Sequence, residues 1–243
     1  MPGEPKKLKA RDEFARFTEE FLGEKLGKLS TVQQSYALTN FYISEIHNRV
    51  RSEISAEDLE LAVVDAASDL GCDLIHRDDN HVIIIQTKYR SEGAKESVEH
   101  VSHFQSILKR LSDPNLKANE RLLDRLHTID WKNDSFSLIF LTFGKLENQA
   151  RRLSEQPANY PATISDLEQR CDWVFLDEHN LNEELRSARA IESGGSDREH
   201  DPLASAWHLA AVRPFPLQQL HDAGKLHTVM PLLLSPWQTQ HML

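Results

Sequence analysis

The strongest constraint on the fold lies between residues 63 and 90, where two apolar runs flank a short polar turn. The turn is Asp78-Asp79-Asn80, and four consecutive β-branched residues, VIII at 82–85, lie in the run that follows it. Acidic and amide residues between two apolar runs are typical of a β-hairpin. The pattern therefore predicts a first strand over residues 70–77 and a second strand over residues 81–88.

Three polar side chains are expected to meet at the end of this hairpin. Side chains alternate along a strand, so Gln86 and Lys88 point to the same face. A turn centred near Asp79 places Asp73 opposite Gln86. Oxygen ligands suit a hard cation, and we therefore predict Asp73, Gln86 and the backbone carbonyl of Thr87 as ligands of Mg²⁺ or Mn²⁺. Lys88 then lies where it can orient or deprotonate the attacking water, or stabilise charge on a phosphate.

A simpler alternative is an edge hairpin whose Gln86 and Lys88 face water. For an isolated QxK triplet that alternative is the better one. The strand before Gln86 is too apolar for a solvated edge, however, because such runs are normally buried on both faces. Upstream, Asp65 and Asp69 can either join Asp73 as metal ligands or cap the loop that leads to the strand.

The same residues resemble a known nuclease superfamily. An acid followed by a hairpin ending in QxK resembles the PD-(D/E)XK superfamily in its QxK form. More narrowly, DAASDLGCD at 65–73 followed by IQTKYR at 85–90 resembles the N-terminal domain of AIPR (abortive infection phage resistance) proteins, with their D-G-x-x-D-x-G-x-D run, short hairpin and I-Q-S-K-Y. Ala66 and Thr87 stand where that family has Gly and Ser. The resemblance covers about residues 30 to 185.

The resemblance implies a restriction-endonuclease-like core and metal-dependent cleavage of phosphodiester bonds. DNA is the expected substrate, with RNA left open, and defence of a bacterium against phage is the expected setting. Asp73, Gln86 and Lys88 would be catalytic, and Asp69 is favoured over Asp65 as a neighbour of the metal. An acid on the preceding helix completes the site in many members, and Glu45 is the candidate; an ordinary solvated helix acid is an equally good interpretation. A homodimer is expected from the family alone.

Basic and aromatic residues after the hairpin form the predicted nucleic-acid surface. Tyr89, Arg90 and Lys95 are the candidates nearest to the site, and further basic residues follow at Lys109, Arg110, Lys117, Arg121 and Arg125. Acids are interleaved among them, so a solvated face is the alternative. The formal net charge of -10 argues against a chain-wide basic surface, although it permits a local one.

The order of periodic segments predicts the α/β class, with a mixed central sheet flanked by helices. We expect an N-terminal helical extension over 1–29, the nuclease-like core over 30–190, and a linker with an appendage of unassigned role over 191–243. No apolar run reaches transmembrane length, and the two cysteines have no metal-binding spacing, so a cytoplasmic protein without membrane association is expected. A non-catalytic nucleic-acid-binding or assembly module on the same scaffold is the alternative function.

Overall fold

The computed structural model describes residues 9–64, 70–156 and 158–192. Asp65 and Asp69 therefore lie outside the described residues, as does the predicted appendage beyond residue 192. The strands are β1 (Leu74–Asp78), β2 (His81–Lys88), β3 (Ser135–Thr142) and β4 (Cys171–Leu176). The helices are α1 (Ala10–Leu22), α2 (Thr31–Tyr42), α3 (Asn48–Val50), α4 (Ala56–Ala62), α5 (Val98–Gln105), α6 (Ile107–Leu111), α7 (Glu120–His127), α8 (Asn148–Ser154) and α9 (Glu178–Glu192).

The four strands form one mixed sheet in the order β1-β2-β3-β4. The β1–β2 pair is the antiparallel hairpin, and β2–β3 and β3–β4 are parallel pairs. The predicted α/β class with a mixed sheet flanked by helices is confirmed, and the element order is compatible with a restriction-endonuclease-like core. The first strand begins at Leu74 rather than at residue 70. Leu70 and Gly71 have positive φ angles of 58° and 76°, which are incompatible with an extended strand.

Strand β2 is buried on both faces, as its continuous apolar run predicts. Ile83 and Ile85 belong to one cluster of buried side chains, which includes residues of α1, α2 and α9. Val82 and Ile84 belong to a second cluster on the opposite face, with residues of α5, α6 and α7. In this strand order β2 and β3 lie at the centre of the sheet. Side chains packed on both faces of the sheet therefore fix the position of the end of β2.

Helix α1 packs on the core, whereas the sequence pattern predicted a separate helical extension over residues 1–29. Ala10 and Phe14 are fully buried in the first cluster. The ring of Phe14 lies 5.5 Å from that of Phe41 and 5.3 Å from that of Phe143, measured between ring centroids. These contacts join the helix to α2 and to the end of β3.

Length and apolar character decide whether a helix of the described residues could cross a bilayer. A spanning helix needs about 20 predominantly apolar residues, and none of these helices is long and apolar enough.

Candidate active-site cleft

A cleft of about 330 Å³ lies at the carboxyl end of β2. Its lining residues come from the start of α2, from the residue before β1, from the end of β2 and from α5. They are Thr31, Val32, Ser35, Asp73, Lys88, Tyr89, Arg90 and His100. The structure thus places Asp73 and Lys88 on one cleft, as the hairpin geometry predicts, and adds residues from two helices that are remote in sequence.

Asp73 does not sit directly opposite Gln86. Leu74 is the register partner of Ile85, and the backbone N–H of Asp73 also donates to the Ile85 carbonyl, at 2.9 Å. Two consecutive residues therefore oppose one residue of β2, which is the arrangement of a β-bulge. Bulges redirect side chains beside functional sites, and this one directs the Asp73 carboxylate towards Thr87.

Thr87 holds the Asp73 carboxylate in place. Its backbone N–H donates a short hydrogen bond to Asp73 Oδ2, and its hydroxyl lies 3.2 Å from the same oxygen. The hydroxyl also lies 3.2 Å from the Ser35 carbonyl and 3.2 Å from Thr39 Oγ1. A threonine hydroxyl has one proton, so at any moment it donates a hydrogen bond either to Asp73 or to the Ser35 carbonyl. These bonds join the hairpin to α2 directly beneath the cleft.

Gln86 is buried beneath Gly71 and does not line the cleft. Its side chain is 2 % exposed, and its Oε1 has no hydrogen-bond partner among the described residues. A Cβ built on Gly71 would lie 2.4 Å from Gln86 Nε2, so only glycine permits this approach. A buried oxygen without a donor is costly, and a cation or a water is the kind of partner that satisfies it.

Lys88 is half-buried at the edge of the cleft. Its ammonium takes part in none of the ion pairs found among the residues that the structure describes. By contrast, the neighbouring Arg90 is paired with Glu96 and the exposed Lys95 is paired with Glu147. Lys88 is therefore the cleft cation whose charge remains available to a ligand.

The structure does not bring Glu45 to the cleft. Its carboxylate lies 2.6 Å from Arg189 Nη2 on α9 and 3.1 Å from Arg49 Nη2. The residues of α2 that line the cleft are at its start, and Ser35 precedes Glu45 by about 15 Å of helix. The apolar residues at helical spacing around Glu45 indicate which face of that helix is buried. They do not indicate which end of that face approaches the hairpin. Asp73 is the carboxylate lining the cleft among the described residues.

Of the three predicted nucleic-acid contacts, Tyr89 and Arg90 line the cleft and Lys95 does not. The ring of Tyr89 packs against Phe14 and Phe143, with centroid distances of 5.8 Å and 6.0 Å. It is therefore partly a core residue.

The sequence interpretation also missed a buried ion pair behind the cleft, in which Glu96 holds the lining residue His100. His100 Nδ1 lies 2.6 Å from Glu96 Oε1, and Glu96 also accepts from Arg90, from Thr142 Oγ1 at 2.7 Å and from the Ser97 backbone N–H. Burial raises the pKa of Glu96, but the hydrogen bonds from Arg90, Thr142 and His100 outweigh it and hold the pKa below its ordinary value. The i, i+4 spacing of Glu96 and His100 was the signal for this pair.

The oxygen donors near Asp73 are suited to a hard cation, although they are few. Within residues 9–64, 70–156 and 158–192, no group of three His, Cys, Asp or Glu side chains is arranged to hold a metal ion. Mg²⁺ commonly uses one or two carboxylates and keeps several waters. Asp73 fits that smaller donor set. Gln86 Oε1 does not join it here, because Gln86 lies under Gly71 and its side chain alternates to the opposite face of β2 from Thr87, which Asp73 contacts.

Comparison with protein-family models, with curated proteins and with solved structures found no match to this chain. The geometry of the cleft is accordingly the basis for a functional assignment.

Proposed function

We propose that the protein is a metal-dependent endonuclease that hydrolyses phosphodiester bonds in this cleft, most simply in DNA. The observation that carries the proposal is that Asp73 and Lys88 line the same cleft at the end of a buried strand. Lys88, which has no ion-pair partner among the described residues, and the Asp73 carboxylate on the same cleft supply the two charges that a phosphate and its attacking water require.

Each residue has a distinct role in this proposal. Asp73, oriented by the backbone N–H of Thr87, would hold Mg²⁺ or Mn²⁺ together with waters. Gln86, the second predicted ligand, would have to turn its unsatisfied oxygen out from under Gly71 to join it. The Thr87 carbonyl remains a candidate ligand. When bound, the metal polarises the phosphoryl oxygen and lowers the pKa of a bound water. Lys88 orients that water or neutralises the charge that builds up on the phosphate, and Tyr89 and Arg90 form the neighbouring wall.

The cellular setting follows from the resemblance of the hairpin to AIPR proteins. We include in the proposal a cytoplasmic location, a homodimer that cuts both strands, and a role in bacterial defence against phage. Size-exclusion chromatography with light scattering tests the dimer separately from the chemistry, because a monomer that cleaves one strand would retain the cleft and its roles.

The decisive experiment compares Lys88→Ala with Lys132→Ala on labelled single- and double-stranded DNA and RNA. Lys132 is an exposed lysine in the turn before β3, at the opposite end of the sheet from the cleft. We expect cleavage with Mg²⁺ or Mn²⁺, none in EDTA, and a loss of roughly 100-fold or more for Lys88→Ala alone. Equal cleavage by the two variants, or cleavage that persists in EDTA, would contradict the proposal.

A non-catalytic nucleic-acid-binding module is the second candidate. It is favoured by the finding that Asp73 alone supplies a carboxylate to the cleft among the described residues. This candidate predicts metal-independent binding without cleavage, a salt-dependent affinity, and weaker binding by Lys88→Ala than by Lys132→Ala.

A further inference from the structure

The Glu96–His100 pair occupies one wall of the cleft and has no role in the proposed hydrolysis. The side chain of Glu96 is fully buried, whereas that of His100 is 39 % exposed. His100 lines the same cleft as Lys88. A buried carboxylate thus holds an imidazole that remains open to a ligand.

The contacts around Glu96 determine the tautomer of His100. The distance of 2.6 Å between His100 Nδ1 and Glu96 Oε1 requires a proton between them. An ionised carboxylate only accepts, so Nδ1 carries that proton. Arg90 Nη2 also lies 3.0 Å from His100 Nδ1, but both nitrogens carry protons and no hydrogen bond forms between them. Arg90 Nη2 donates instead to Glu96 Oε1, at 3.1 Å. Nε2, on the far side of the ring, is the nitrogen left for a ligand.

The charges around the cleft favour an anion at this position. The charge of Arg90 is largely balanced by Glu96, which is fully buried and already accepts four hydrogen-bond donors. Lys88 forms no ion pair with a described residue, and Thr31 adds a hydroxyl to the lining. A phosphate placed between Lys88 and His100 would receive hydrogen bonds from an ammonium and, with the ring in the imidazolium form, from Nε2–H. Charge-assisted bonds of this kind are the strong ones in proteins.

We propose that His100 is a phosphate-contacting residue and that Glu96 is its positioning residue. The ring binds as the imidazolium: Nδ1–H donates to Glu96, and Nε2–H donates to a non-bridging phosphate oxygen that Lys88 also contacts. The inference rests on the proposed function only in assigning that phosphate to a nucleic-acid strand. Phosphate contact by His100 itself follows from the geometry of the pair.

Nitrogen NMR of the histidine side chains in the full-length wild-type protein tests the contact directly, with inorganic phosphate as the probe. We expect Nδ1 of His100 to be protonated with and without phosphate, and the Nε2 resonance to move towards that of a protonated nitrogen as phosphate is added. His127, an exposed histidine at the end of α7, is the internal control and should not shift. Glu96→Gln should remove the preference for the Nδ1-protonated form. A His100 Nε2 signal that is indifferent to phosphate would overturn the inference.

Binding of a labelled double-stranded oligonucleotide in EDTA provides the second test, because no cleavage intervenes. We expect His100→Ala to weaken binding about tenfold, which corresponds to one hydrogen bond to a charged group, and His127→Ala to leave it unchanged. Equal binding by the two variants would count against the inference.

The two proposals fail in different ways. If the wild-type protein neither binds nor cleaves DNA while phosphate still shifts His100, the nuclease assignment is wrong and the phosphate contact stands. If Lys88→Ala abolishes cleavage while His100→Ala binds DNA normally and phosphate leaves His100 unmoved, only the contact is wrong. Should His100→Ala fail to fold, the measurement on the wild-type protein decides.

Discussion

Thr87 donates to Asp73 from its backbone N–H, and its hydroxyl lies 3.2 Å from the same carboxylate oxygen. This relationship links the chemistry of the cleft to the stability of the hairpin, because Asp73 is 5 % exposed and accepts bonds that water does not replace. The carboxylate therefore has a structural role whether or not it binds a metal.

The first prediction concerns that structural role. Asp73→Ala should lower the free energy of unfolding by about 1–3 kcal/mol, because it leaves the buried Thr87 N–H without its acceptor. Urea denaturation followed by tryptophan fluorescence measures the change. Thr87→Ser keeps both donors and is the matched control, with stability close to that of the wild type. An Asp73→Ala protein as stable as the wild type would contradict the bonding described here.

The second prediction concerns the close approach at Gly71. Gly71 and Gly93 have similar φ angles, 76° and 75°, but a Cβ on Gly93 meets nothing within 4 Å, whereas one on Gly71 meets Gln86 Nε2. Gly93→Ala should cost about 1–2 kcal/mol for the left-handed conformation alone. Gly71→Ala should cost about 2–5 kcal/mol, since overpacking adds to it.

The control for both glycine variants is Gly27→Ala, at a position with ordinary φ and open space. Its stability, measured in the same urea series, should be close to that of the wild type. Equal losses for Gly71→Ala and Gly93→Ala would show that the Gln86 side chain moves away at little cost, and that the packing beneath the cleft is loose.

The third prediction concerns Glu45, which pairs with Arg189 rather than facing the cleft. Glu45→Gln should leave cleavage within about twofold of the wild type and lower stability by about 1 kcal/mol, as expected for a partly exposed ion pair. Paired cleavage and urea measurements separate the two effects. A loss of cleavage comparable to that of Lys88→Ala, with unchanged stability, would show that Glu45 takes part in catalysis after all.

The fourth prediction is a pH dependence that originates at Glu184 on α9. Burial raises the pKa of Glu184 to about 7 from an ordinary value of 4.5, although Arg51 opposes the shift. Between these two pH values the folded state binds more protons than the unfolded state, so this residue lowers stability as the pH rises from 4.5 to 7, and the loss persists above pH 7.

Glu184→Gln removes the carboxyl group and with it the loss of stability between pH 4.5 and pH 7. The variant should be more stable than the wild type at pH 8 by about 1–2 kcal/mol, after allowance for solvent screening, and the gain should disappear near pH 4.5. Thermal denaturation across this pH range measures it. Glu183→Gln, its more exposed neighbour, is the control and should show a much smaller trend, because Glu183 makes only a minor contribution to the raised pKa of Glu184. A gain of equal size at pH 4.5 and pH 8 would contradict the buried carboxyl.

Local patterns in the sequence predicted the hairpin, the buried β2 strand and the α/β class. These depend on interactions between residues that are close in the chain. The turn at 78–80 favours a reversal, the β-branched run favours an extended strand, and the apolar run requires cover on both faces. The close approach at Gly71 also depends on a local property, because only glycine lacks the Cβ that would block it.

The sequence by itself therefore determined which segments form strands and which end of the hairpin carries Asp73, Gln86 and Lys88. Only the tertiary structure decided which helix residues join them: Ser35 and His100 line the region around the cleft, while Glu45 pairs with Arg189. The physical reason is that side-chain alternation along one strand is a property of the local backbone, whereas the position of a helix along a sheet depends on the packing of both buried faces at once.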